Sequence, residues 1–135
     1  MIKTFYLQAI AFWIVLVFVA ISNAILREAV YGPIVNNELL SHQISTLTGI
    51  LLLSTGYYFF LKFIASEYAA IDTIYLGVMW MIMTICFEFL FGHFVMGNSW
   101  AHLFNDYNIL AGRVWIFEVV SILIGPYLMD RFLLK

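Results

Sequence analysis

Four long apolar runs separated by short polar stretches set the pattern of this chain. They cover residues 6–26, 42–64, 73–95 and 114–129, give or take a residue or two. A helix rises about 1.5 Å per residue, so a run of about twenty residues crosses about 30 Å of hydrocarbon. Each run therefore reads as a membrane span. Within them the polar positions recur at helical spacing. In the second, His42, Ser45, Thr46, Gly49, Leu53 and Gly56 share one face, mostly small or polar. Faces of that kind pack against neighbouring helices in lipid, and bulky Leu47, Leu51 and Tyr58 lie opposite. Thr84, Glu88 and Gly92 form one stripe of the third run, and Glu118, Ser121, Ile122 and Gly125 one face of the fourth. Asn23 and Arg27, four apart at the end of the first, also share a face.

The breaks between the runs carry their own signals. Gly32-Pro33 is expected to stop the first helix, and residues 34–41 form an interfacial turn or helix. Residues 65–70 make a short polar link that carries Glu67, with Asp72 just beyond it. Gly97-Asn98-Ser99 is a helix-start signature. After it Trp100, Leu103, Phe104, Tyr107 and Leu110 alternate with His102, Asn105, Asp106 and Asn108 at helical spacing. That pattern predicts an amphipathic helix at the membrane surface over about residues 99–111, stopped by Gly112. Pro126 should kink or fray the last turn of the fourth span. The fold expected is all-α, an integral membrane four-helix bundle forming a single transmembrane domain over residues 1–135. A short interfacial amphipathic helix links spans three and four.

Composition agrees and narrows the choice. The 135 residues are 64% hydrophobic and 10% charged, and mean hydropathy is +0.99. A soluble domain has about 25% charged residues, so lipid is the natural solvent of this surface. A net charge of -2 with no basic run speaks against nucleic acid as a partner. The lone Cys86 excludes an intrachain disulfide. Lys3 before an apolar run and Ser22-Asn23-Ala24 after it imitate a signal peptide. The run exceeds the usual signal core of roughly 7–15 residues, so it reads as an uncleaved first span. Lys3, Lys62, Arg131 and Lys135 fall on the side of both termini, against Arg27 and Arg113 opposite. This bias places both termini in the cytoplasm.

With that orientation, all four spans carry polar side chains in one slab of the outer leaflet. Asn23, Arg27 and Glu28 end span one, and His42, Gln43, Ser45 and Thr46 begin span two. Glu88 and His93 lie in the outer part of span three, Asp106 follows in the connector, and Arg113 and Glu118 open span four. The cytoplasmic half is expected to hold no matching set and to be sealed by Phe, Leu, Ile and Met. Charged groups cost at least about 2.5–3.5 kcal/mol at mid-span, so they should face inward and pair. The proposed ligand-binding set is therefore Asn23, Arg27, Glu28, His42, Gln43, Thr46, Glu88, His93, Asp106, Arg113 and Glu118, with Arg27, Glu88, His93 and Arg113 meeting in one pocket. Trp100, Tyr107 and Trp115 read as an interfacial aromatic belt, and Trp13, Tyr57 and Tyr58 as no more than that.

The polar slab suits a site for a small polar ligand, an ion or a lipid head group. Other readings remain open: an intramembrane enzyme on a lipid-linked substrate, with Glu88 or His93 as base; a b-type haem protein with His42 and His93 as axial ligands; an accessory subunit of a homo-oligomer or larger membrane complex, its charges fixing helix register. No catalytic signature is present, no metal site is implied, and no cofactor is identified. The combination of Asn23, Arg27 and Glu28, then His42, Gln43, Ser45 and Thr46, then Phe87–Phe89 and Phe91–His93, then Asp106–Asn108, Gly112, Arg113 and Trp115 resembles small uncharacterised bacterial inner-membrane proteins of four spans. The resemblance covers most of the chain. It implies a bacterial inner-membrane location and carries no activity.

Overall fold

The computed structural model describes residues 4–105, 107, 108, 110 and 115–134, and the described residues are mostly helical with no strand among them. Helix α1 covers Thr4–Val35, α2 Glu38–Ile64 and α3 Ala70–Val95, each long and apolar enough to cross a membrane. A short helix α4 follows at Trp100–Asn105. The last helix, α5, covers Trp115–Met129 and continues through one wider turn, Asp130–Leu134. Asp106, Arg113 and much of the segment expected to complete the interfacial helix lie outside the described residues. Helix α4 itself ends at Asn105, where Tyr107 N–H and Asn108 N–H turn back to the carbonyls of Phe104 and Asn105.

The stop expected at Gly32-Pro33 is not found, and helical backbone also runs past Pro126. Gly32-Pro33 does not stop α1, because the chain widens over Arg27–Tyr31 and Gly32 N–H bonds the carbonyl of Arg27. Pro33 then sits at the start of the final turn, where its missing N–H is tolerated. The helix ends at Asn36, left-handed at φ 52°, and Asn37 caps α2 by accepting Leu40 N–H at 3.0 Å. In α5, Pro126 is buried and helical backbone runs past it. Without its N–H the carbonyl of Ile122 has no partner one turn ahead. There Gly77 of α3 approaches so closely that a methyl group on it would collide with the carbonyls of Ile122 and Leu123.

That contact is the tightest part of the bundle. Helix α5 packs along α3 and α2, while α1 packs on α2 and more loosely on α3. Phe5, Ala9, Phe12 and Leu16 come from α1 at spacings of four and three, and meet Tyr57, Phe60, Leu76 and Trp80 in the core. The opposite faces carry exposed Leu7, Phe18, Leu47, Leu51 and Phe59. A core of large aromatics inside and a skin of aliphatics outside inverts the usual polar surface.

The half of the bundle nearer the termini holds more polarity than its sequence suggests. Tyr6 OH donates to Asp72 Oδ1 at 2.6 Å, Tyr68 OH to Asp130 Oδ1 at 2.7 Å, and Ser66 N–H to Gln8 Oε1 at 2.8 Å. Asp72 also accepts Ala69 N–H at the start of α3. Asp72 and Asp130 are 3% and 2% exposed. Burial, then the bond to Asp130 and its charge, push the Tyr68 phenol above its usual range. The expectation of an all-apolar seal at this end is corrected: paired tyrosines and aspartates tie α1, the 65–69 link and α5 together.

Candidate functional site

The seam between α1 and α3 has two halves. Towards the termini it is closed. Trp80 Nε1 donates to the carbonyl of Ala9 at 2.9 Å and Trp13 Nε1 to Thr84 Oγ1 at 3.1 Å. Beyond Trp13 and Thr84 the helices part around a half-open cavity of about 310 Å³. Its walls are Trp13, Leu16, Val17, Ala20, Ile21 and Ala24 of α1, facing Trp80, Thr84, Phe87, Phe91 and Gly92 of α3. Leu53 and Tyr57 of α2 and Ile122 of α5 form its back. Polar groups gather at the far end: Arg27, Glu88, Asn98 and the Trp115 indole. From Trp13 to Arg27 the slot runs fourteen residues, about 21 Å.

Each end group is held by its neighbours. Arg27 Nε donates to Glu28 Oε1 at 2.9 Å and Nη1 to Ser45 Oγ at 3.3 Å. Ser45 is 6% exposed on the small-residue face of α2. Asn23, 7% exposed, bridges the same place. Its amide donates to the Ser45 carbonyl at 2.9 Å, and its Oδ1 accepts Thr48 Oγ1 at 3.0 Å. Glu88 Oε2 accepts Tyr107 OH and Trp115 Nε1, both at 2.7 Å. These two aromatics are therefore partners of the half-buried Glu88 carboxylate. Leu103 of α4 is 3% exposed and fills the space over Gly92, closing the cavity from the connector side.

Glu118 lies behind this cavity. It is 3% exposed. Its carboxyl occupies the space above Gly49, beside the Asn23 amide, where a Cβ would sit.

Of the residues proposed from sequence, Arg27 and Glu88 share the cavity, and Asn23 and Glu118 stand in the layer behind. Glu28 and His42 belong to a separate polar recess at the α1–α2 connection, where His42 Nε2 lies 3.8 Å from Glu38 Oε1. Thr46 is buried and returns its hydroxyl to the His42 carbonyl at 3.0 Å. Gln43 is half-buried on α2. His93 lines neither cavity: its Nδ1 lies 2.8 Å from the Asn98 carbonyl and its ring stacks on Trp100 at 3.8 Å. Bonding to a carbonyl fixes that nitrogen as the donor. Sequence reasoning missed Ser45 and Thr48 as polar partners and Trp13, Tyr57 and Trp115 as cavity walls. The available signal was helical register, since Trp13, Val17, Ala20, Ala24 and Arg27 fall at spacings of three and four.

Helices of this length and apolarity around a buried polar layer define a helical membrane protein. Compared with protein-family models, curated proteins and solved structures, the chain matches none.

Proposed function

We propose that this protein binds a membrane amphiphile in the slot between α1 and α3, with the head group at Arg27 and Glu88 and an acyl chain along Val17, Ala20 and Phe87. One observation carries the reading: a single cavity is apolar for most of its length and charged at one end. A free ion or small polar solute would leave the apolar part wet. A lipid satisfies both parts, with part of its chain held in a cavity of about 310 Å³ and the rest along the open seam. The half-open seam gives a route from the bilayer that needs no passage through water.

In this account α5 crosses the membrane as a fourth span, and both termini lie in the cytoplasm. The Arg27 end then faces the outer leaflet of a bacterial inner membrane. The slot length of about 21 Å exceeds the roughly 15 Å of one leaflet's hydrocarbon, so a chain can lie along it with one side open to the bilayer.

The test is a titration of the detergent-purified protein with an anionic single-chain phospholipid, followed by native mass spectrometry. A one-to-one complex is expected. Arg27→Gln should weaken it about tenfold, the worth of one charge-assisted hydrogen bond. Equal binding by wild type and Arg27→Gln would remove Arg27 from the site.

A further inference from the structure

The recess at the α1–α2 connection is the second cavity of interest. It also measures about 310 Å³, and it is lined by hydrogen-bonding groups, including Glu28, Asn36, Glu38, Ser41 and His42. Among the described residues Arg27 alone lines both this recess and the apolar slot. Its side chain is 20% exposed. A guanidinium carries five N–H donors, and the bonds to Glu28 and Ser45 engage only its Nε and one Nη1. The remaining donors stand at the boundary between an apolar slot and a polar chamber.

The geometry points to an amphiphile larger than a bare lipid phosphate: one apolar tail in the slot, an anionic phosphate at Arg27, and a neutral polyol or sugar extending into the recess. This rests on the lipid-binding reading above and assigns the head-group class. The phosphate follows from the guanidinium, whose planar fork matches phosphate oxygens. The polyol follows from the recess itself. Its carboxylates, amide, hydroxyl and imidazole suit ligand hydroxyls that both donate and accept. Pairs as exposed as Glu38–His42 contribute little to stability, so ligand hydroxyls can replace them at small cost.

The experiment compares two probes of equal chain length on the full-length protein: an alkyl phosphate and a lysophosphatidylinositol. The inositol probe should bind about tenfold more tightly, as one or two good hydrogen bonds to charged groups allow. The double variant Glu38→Gln, His42→Ala should abolish that preference and leave alkyl phosphate binding unchanged. Both positions are at the surface, and an unchanged melting temperature confirms that the variant folds. Equal affinity of the two probes for wild type would overturn the head-group assignment, as would a double variant that weakens both probes alike. Failure of both probes to bind wild type would instead sink the lipid-binding reading on which it rests.

Discussion

Single residues decide how the charged layer is tolerated inside a membrane. Glu118 sits where a side chain at Gly49 would be, so Gly49→Val must displace the carboxyl or part α2 from α5. Overpacking of this kind costs about 1–3 kcal/mol, readable as a lower melting temperature in detergent. Glu118→Gln should behave oppositely. The carboxyl is 3% exposed, and a buried charge carries a desolvation cost that a neutral amide of the same shape relieves. Its melting temperature should equal or exceed wild type; a large fall would show that the ionised group is required. At the opposite end, Tyr68 donates to Asp130, and its phenol is held above the usual range by burial and by that bond. The bond's stability is present while the unfolded tyrosine is protonated, below about pH 10, and declines at higher pH. The destabilisation caused by Tyr68→Phe, followed by thermal melting against pH, should therefore be full at neutral pH and shrink above about pH 10.

At the scale of elements, the bundle is tight on one side and parted on the other. Gly77 brings α3 against the carbonyls of Leu123 and Ile122 on α5, and of these Ile122 lacks its helical donor at Pro126. Gly77→Val should separate those helices and cost about 1–3 kcal/mol or more. An unchanged melting temperature would contradict the packing described. This contact also shows how far the sequence could be read. The helical runs, the small face of α2 and the stripe Thr84, Glu88, Gly92 were legible, because apolar periodicity reports which face of a helix is buried. The effect of Pro33 was not. Gly32-Pro33 signals termination locally, and only the wider turn over Arg27–Tyr31 carries the helix past it. The polar pairs of the terminal half were also invisible. Tyr6 and Asp72 are 66 residues apart, and Tyr68 and Asp130 62. Neither member of a pair is notable until the helices meet. In the candidate site, Arg27 and Glu88 stood out because charge inside an apolar run is rare. Their partners Ser45, Tyr107 and Trp115 are residue types common in any span or belt, so the network around them had no distinct signal. The apolar slot was hidden for a further reason: a cavity is a place where helices fail to touch.

The whole molecule combines a closed seam near the termini, a parted seam at the Arg27 end and a polar layer beside it. Its orientation is testable with Cys86 replaced by Ala and single cysteines placed at Asn36 or Glu67. In intact cells a membrane-impermeant maleimide should label Asn36→Cys and spare Glu67→Cys; the reverse pattern would invert the topology. The central claim is that an acyl chain occupies the α1–α3 slot, and filling the slot tests it most directly. Ala20 lines the slot and is half-exposed, so Ala20→Trp should occupy the space without disturbing the core of Phe5, Ala9, Phe12 and Leu16. The decisive measurement is native mass spectrometry of wild type and Ala20→Trp, each with an anionic single-chain phospholipid. Wild type should carry one lipid, and Ala20→Trp none at an unchanged melting temperature. A folded Ala20→Trp protein that binds the lipid as well as wild type would contradict the account.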